Sequence, residues 1–218
     1  MLAGEALAEA ATRLRNEGVE SPRLDAELLL AHVLGVNRAT ILAHPDRRIT
    51  PKQLTRYRDL VARRAGREPL TYIVGHREFF GIDLVVDRRV LIPRPETELL
   101  VEHTVRIGRQ LAQHLASSSA TPLKIADVGA GSGAIAVALA AQLPQAEVFA
   151  LDASASALDV VAENARRHGV ADRVRCLRGD LLSPLPCPVN LITANLPYVA
   201  TGEWQELAPE IRDHEPRS

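Results

Sequence analysis

The second half of the chain alternates apolar strands with helices, and this pattern limits the possible folds more than any other feature. From Lys124 onward the predicted strands are "KIADVG", "EVFALD", "RVRCLRGD" and "VNLITAN", and the predicted helices are "SGAIAVALAAQLP" and "SASALDVVAENARRHG". Apolar strands connected through helices form parallel sheets that are covered on both faces. The pattern therefore predicts an α/β, doubly wound, mostly parallel sheet. Such sheets bind ligands at the carboxyl ends of their strands.

The first half of the chain has a different character. Helical periodicity and capping residues predict helices in "EALAEAATRLRNEG", "SPRLDAELLLAHVLG" and "TPKQLTRYRDLVARRAG", with a short helix near 38–43. The next segment has strand-like stretches with turns at Gly81 and at Asp87 to Arg89, and Pro93 stops the second strand. We expect a helical domain over 1–75, a β-hairpin linker over 76–93, and the α/β domain over 94–218.

Charge and composition narrow the function classes. The 26 basic and 27 acidic residues nearly balance, so the molecule as a whole does not bind polyanions by charge. Two cysteines make neither a disulfide framework nor a metal cluster, and no apolar run approaches the ~20 residues that span a bilayer. The acidic, helical N-terminus does not resemble a signal peptide. We expect a cytoplasmic protein with no metal.

One segment is locally basic. Between residues 47 and 67 there are eight Lys or Arg residues and one acid. This run is either a solvated helix face or a docking face for an acidic partner or an RNA-bound assembly.

Three strand ends predict a nucleoside pocket. The first strand runs into "DVGAGSGA", where Gly129, Gly131 and Gly133 suit either a tight turn or a ligand that approaches the backbone at a helix N-terminus. Asp152 ends the second strand, where a carboxylate accepts from ribose hydroxyls or caps the next helix. Asp180 follows the third strand and suits an adenine amino group or a turn.

The fourth strand ends in Asn195, Leu196, Pro197 and Tyr198. An asparagine oxygen accepts from an NH₂ group, and a fixed proline aims the preceding carbonyl at the same hydrogens. The ring of Tyr198 offers a stacking surface. This set is suited to hold a planar amide or amino nitrogen while it attacks.

In this order, "DVGAGSG", "LD", "GD" and "NLPY" resemble the S-adenosylmethionine-dependent methyltransferases that act on nitrogen. The segments "LIPRPETELLV", "REPLTYIVGHREFFG" and "SPRLDAELLLAHVLG" narrow the resemblance to the peptide chain release factor N5-glutamine methyltransferases, the HemK or PrmC group. The resemblance covers the whole chain. It implies a class I, Rossmann-like methyltransferase domain preceded by a helical substrate-docking domain.

The resemblance also implies an activity and its residues. The family transfers a methyl group from S-adenosylmethionine to the side-chain amide nitrogen of the glutamine in the Gly-Gly-Gln motif of class 1 release factors. The implied catalytic residues are Asn195, Pro197 and Tyr198, and Leu196 joins them in binding the substrate. The implied cofactor-binding residues are Gly129, Ala130, Gly131, Ser132, Gly133, Asp152, Asp180, Leu181 and Asn195. We expect a monomer that binds neither nucleic acid nor membrane.

The chain departs from the family pattern in three places. Leu196 replaces the first proline of Asn-Pro-Pro-Tyr, and Asn-Leu-Pro-Tyr also occurs in rRNA adenine dimethyltransferases. Asn190 stands where the family usually has an acid. Ser218 falls where the family continues into further strands, so we expect a chain truncated at its C-terminus. The alternatives are an adenine amino-methyltransferase on RNA or DNA and an inactive, truncated release-factor-binding module.

Overall fold

A computed structural model describes residues 1–118, 122–197, 199 and 202–216, with the side chains of 116–118 excepted. The chain forms two compact units. One contains Met1–Val74 with Gln205–His214, and the other contains Gly75–Trp204 and the residues from Glu215 onward. None of the helices in the described ranges is long and apolar enough to cross a membrane.

The first unit is helical, as the sequence predicts. Its helices are α1 (Ala3–Asn16), α2 (Pro22–Leu34), α3 (Arg38–Ala43), α4 (Pro51–Ala65), α5 (Leu70–Val74) and a short helix at Pro209–Arg212. The helix ends follow local chemistry: Thr50 and Gln53 form a reciprocal capping box at the start of α4, and Gly35 ends α2 with a φ of 64°.

The main apolar cluster of the helical unit is aliphatic apart from Tyr57. Leu14, Leu29 and Leu30 are fully buried. The hydroxyl of Tyr57 donates to the carbonyl of Ala26 at 3.0 Å, which satisfies the polar atom that this ring brings into the core. Burying these side chains is what stabilises short helices that would be marginal alone.

The second unit contains the predicted parallel sheet. Its elements are β1 (His76–Phe79), β2 (Ile82–Val85), α6 (Thr97–Ser118), β3 (Leu123–Val128), α7 (Ala134–Gln142), β4 (Ala146–Asp152), α8 (Ala155–Arg167), β5 (Val174–Arg178) and β6 (Leu191–Ala194). The four main strands are parallel in the order β5-β4-β3-β6. The α/β, Rossmann-like class is confirmed.

The two faces of the sheet are packed differently. Ile125, Val148 and Ala150 share a core with α6, α7 and α8. Phe149 and Leu151 point to the opposite face, where the described partners are residues of the loop 182–189 that precedes β6. A doubly wound sheet carries helices on both faces. Among the described residues, helices cover only the face that packs against α6, α7 and α8.

The hairpin is shorter than the sequence suggests. β1 pairs antiparallel with β2 across the turn at Gly81, and no strand follows between residues 86 and 93. Val86 and Val90 are fully buried, but they pack against Ala157 and Val160 of α8. The apolar residues after Val85 therefore serve the packing of a loop, which the alternation alone could not distinguish from a strand.

Candidate active site

The register of the sheet brings the four strand ends together. Val128 of β3 pairs with Leu151 of β4 and with Ala194 of β6, and Asp152 pairs with Arg178 of β5. The residues that follow these strands therefore meet at one edge. The glycine loop lies between the β4 side, which carries Asp152, and the β6 side, which carries Asn195.

The glycine loop is built on left-handed backbone. Gly129, Gly131 and Gly133 have φ angles of 72°, 54° and 79°. The backbone amides of Gly129 and Ala130 both donate to the carbonyl of Leu151 at 2.9 Å, which ties the loop to β4. A Cβ on Gly131 would meet no atom within 4 Å, so this face is open to a ligand.

Gly133 has a packing role instead. A Cβ at this position would lie 3.0 Å from Cγ1 and 3.2 Å from Cα of Val161 on α8. Ser132, next to it, is buried, and its carbonyl accepts from the side chain of Asn164 at 2.9 Å. This end of the loop holds α7 close to α8.

Asp152 supports the loop and keeps acceptor capacity. One carboxylate oxygen accepts from the backbone amide of Gly131 at 2.9 Å, and the other accepts from Ser154 at 2.8 Å. The N-cap of α8 is Ser154, whose hydroxyl accepts from the amide of Ala157, so the alternative role of Asp152 as the cap is wrong. Each carboxylate oxygen has a further lone pair for a ribose hydroxyl.

Asp180 and Leu181 lie at the same edge but are more exposed. The amide of Gly179 donates to the carbonyl of Asp152 at 3.1 Å, which brings the end of β5 beside that acid. The Asp180 carbonyl accepts from Ser183 in a turn, while its carboxylate makes no hydrogen bond to a described residue. Leu181 is 53% exposed with a φ of 45°. Both roles considered for Asp180 remain compatible with this geometry.

The end of β6 leads into the residues predicted to hold the substrate nitrogen, and we call them the clamp: Asn195, Leu196, Pro197 and Tyr198. The side-chain nitrogen of Asn195 donates to the hydroxyl of Thr97 at 2.9 Å. Leu196 lies over the glycine loop, since a Cβ on Gly129 would be 2.7 Å from its Cδ2. Pro197 is exposed. Tyr198 lies outside the described residues.

Asp127, the first residue of "DVGAGSGA", is a buried acid to which the sequence pattern gave no role. It is fully buried below the glycine loop, where its carboxylate accepts from the amide of Ala136 at 3.1 Å and from the hydroxyl of Thr193 at 3.2 Å. Burial raises the pKa of Asp127 to about 7, although those two hydrogen bonds act to lower it. Asp127 therefore connects the first turn of α7 to β6.

Asn164 is a second residue of this kind. It is fully buried on α8 and both accepts from and donates to the backbone of Val85, at 2.7 and 3.0 Å. An amide among the apolar positions Val160, Val161 and Ala165 was the available signal, because a buried polar side chain requires partners.

Comparisons with known proteins agree with this arrangement. The PrmC N-terminal domain model matches residues 5–75, and the methyltransferase small domain model matches residues 104–211. A release factor glutamine methyltransferase of Chlorobaculum tepidum is 44% identical over 204 residues, which are 91% of this chain and 68% of the relative. A protein of the same name from Bordetella pertussis is 45% identical over 198 residues, 90% of this chain and 69% of the relative. The chain belongs to the release factor glutamine methyltransferase family.

This membership confirms the enzyme class and the cofactor, S-adenosylmethionine, that the resemblance implied. The site fits that cofactor on its own geometry, through the open face of Gly131 and the spare acceptor sites of Asp152. Among solved structures, the human methyltransferase 10 domain containing protein is 20% identical with a TM-score of 0.43, over 58% of this chain and 61% of that chain.

Proposed function

We propose that this family member methylates the side-chain amide nitrogen, N5, of the glutamine in the Gly-Gly-Gln motif of class 1 release factors. The observation that carries the proposal is the position of Asn195 at the end of β6, directly beside the glycine loop. The relatives bear the name of this activity. When bound, S-adenosylmethionine supplies the methyl group.

The residues of the chain act on the nucleophile. The side-chain oxygen of Asn195 and the carbonyl of Leu196 accept the two amide hydrogens of the glutamine. Both hydrogen bonds strengthen as positive charge develops on that nitrogen, so they stabilise the transition state more than the ground state. Pro197 restricts the backbone that carries the Leu196 carbonyl. The sequence resemblance gives Tyr198 the role of a stacking partner for the amide. The proton leaves after methyl transfer, and positioning provides most of the catalysis.

Half of the eight cations between residues 47 and 67 form ion pairs in the structure. Arg58 pairs with Glu9, Arg63 pairs with Glu68, and both Arg64 and Arg67 pair with Glu210, all within the helical unit. Four cations remain exposed without an ion pair to any described residue: Arg47, Arg48, Lys52 and Arg56. We call these four the basic face.

The basic face is our candidate contact with the release factor, through which the helical unit docks its substrate. Lys52 and Arg56 are one turn apart on α4, so they present adjacent charges to an acidic surface. The chain acts in the cytoplasm as a monomer on a protein substrate, without direct binding of nucleic acid.

Mass spectrometry of the Gly-Gly-Gln peptide tests the activity. Unmethylated release factor is incubated with this chain and S-adenosylmethionine, beside a release factor in which that glutamine is alanine. One added methyl on the glutamine, absent from the control, is expected. Methylation of an RNA adenine instead, or release-factor binding by folded protein that transfers no methyl group, would contradict the proposal.

Charge reversal tests the docking surface. The double variant Lys52→Glu with Arg56→Glu is expected to raise the KM for release factor about 3–10-fold. It should leave kcat unchanged, because the basic face is proposed to bind the substrate and takes no part in methyl transfer. Arg15→Glu, at an exposed position of α1, is the matched control. Equal KM values for both variants would remove the basic face from the interface.

A further inference from the structure

The segment "RPETE", residues 94–98, is part of the sequence that resembles the release factor methyltransferases, and it lies outside the glycine loop and the strand ends. In the structure it is a turn that leads into α6. The amide of Thr97 donates to the carbonyl of Arg94, and the amide of Glu98 donates to the carbonyl of Pro95, each at 3.0 Å. We call residues 94–98 the RPETE turn.

The RPETE turn is anchored on both sides of Thr97. A terminal guanidinium nitrogen of Arg94 contacts both carboxylate oxygens of Glu215, at 2.8 and 2.7 Å, and Glu215 is only 5% exposed. Glu98 accepts at 3.0 Å from the amide of Phe80, which has a φ of 50° at the hairpin turn. Charge-assisted hydrogen bonds of this kind hold a turn in one position.

Thr97 is the residue of this turn that faces the clamp. It is 9% exposed, and its hydroxyl accepts from the side-chain nitrogen of Asn195 at 2.9 Å. An asparagine amide carries its donor and its acceptor on opposite branches. With the nitrogen committed to Thr97, the oxygen of Asn195 is left for another partner.

This orientation matters for the substrate. A glutamine amide presents an NH₂ group, and only the oxygen of Asn195 can accept from it. With the amide of Asn195 reversed, two NH₂ groups would face each other and the clamp would lose one acceptor.

We propose that Thr97 is a positioning residue that fixes the amide of Asn195 with its oxygen toward the substrate nitrogen. The proposal rests on the proposed function of the clamp. It also explains why the chain builds the RPETE turn at this place, since Arg94 and Glu98 hold the turn and the turn holds Thr97 against Asn195.

The first test does not depend on activity. NMR measures water exchange of the Asn195 side-chain NH₂, whose signals are assigned by their loss in Asn195→Ala. Thr97→Val removes the hydroxyl at nearly constant shape, and Thr97→Ser keeps it. We expect exchange on the order of 5–10-fold faster in Thr97→Val than in the wild type, and unchanged in Thr97→Ser. Equal exchange in all three proteins would overturn the proposal.

The second test is kinetic. Thr97→Val is expected to lower kcat for release-factor methylation about 10–100-fold, with the KM for S-adenosylmethionine nearly unchanged and with activity restored in Thr97→Ser. Thr104→Val is the matched control, because Thr104 is a buried threonine of the same helix whose hydroxyl donates to the carbonyl of Leu100 at 2.8 Å. Equal kcat values for the two valine variants would refute the positioning role.

The two tests separate the two proposals. A wild type that shows the Thr97-dependent exchange but methylates no release factor would overturn the proposed substrate and leave the orientation of Asn195 standing. A wild type that methylates release factor, with exchange independent of Thr97, would do the reverse.

Discussion

The two sides of the candidate site are held in place by different means. On the side proposed for the cofactor, neighbouring segments bond backbone to backbone or backbone to carboxylate, as with Gly129 and Ala130 on Leu151 and Gly131 on Asp152. On the substrate side, Asn195 is exposed, and the hydrogen bond that orients its side chain comes from Thr97 on α6. The cofactor side is therefore specified by local strand-and-turn chemistry, while the substrate side depends on a distant turn. We therefore expect substitutions to damage the two sides separately.

Loss of Asp152 should damage the cofactor side most. Asp152→Ala removes the acceptors proposed for the ribose and those used by Gly131 and Ser154. Hydrogen bonds to a charged group contribute about 1.5–3 kcal/mol each, so cofactor affinity should fall about 10–100-fold. Isothermal titration calorimetry with S-adenosylhomocysteine measures this affinity. Ser154→Ala removes only the cap of α8 and should bind the cofactor normally; a similar loss in both variants would mean that Asp152 acts through helix α8.

A methyl group on Gly133 should destabilise the loop without blocking the ligand face. Gly133→Ala combines a φ of 79° with a contact 3.2 Å from the Cα of Val161, which side-chain rotation cannot relieve. We expect a loss of about 2–3 kcal/mol in the free energy of unfolding, measured in urea. Gly169→Ala has a φ of 65° and open space around the new methyl group, so it should cost only about 1 kcal/mol. Equal losses would exclude close helix packing as the reason for Gly133.

The smallest expected effect concerns Asp127 and pH. Because burial raises its pKa to about 7, the folded protein retains a proton between roughly pH 4 and 7 that the unfolded chain has released. The contribution of Asp127 to stability is therefore greatest at low pH and is lost as the pH rises through 7. Between pH 6 and 8 the wild type should lose about 1–2 kcal/mol relative to Asp127→Asn, which does not titrate.

Thermal unfolding of both proteins across that pH range measures the difference. Asp159→Asn, at an exposed position of α8, is the control and should follow the wild type. Parallel curves for the wild type and Asp127→Asn would show that Asp127 has the same pKa folded and unfolded.

The difference between local and distant contacts explains which features the sequence could predict. The helices, the parallel strands and the edge where their ends meet followed from periodicity, capping residues and glycines, all of which act between near neighbours in the chain. Thr97 and Asn195 are 98 residues apart, Asp127 and Thr193 are 66 apart, and Asn164 and Val85 are 79 apart. A local pattern contains no information about such partners. The prediction that the hairpin continues beyond Val85 was wrong for a related reason. Val86 and Val90 are apolar because they pack against α8, a distant partner that the local pattern does not reveal.

The role of Asn195 gives the most direct test of two separable sides. Single-turnover methyl transfer to release factor is measured for Asn195→Ala at saturating cofactor, beside its affinity for S-adenosylhomocysteine. We predict a methyl-transfer rate at least about 100-fold below the wild type with cofactor affinity changed less than about tenfold, because the clamp stabilises the reacting nitrogen. A rate near that of the wild type, or a loss of rate fully explained by lost cofactor binding, would contradict the account.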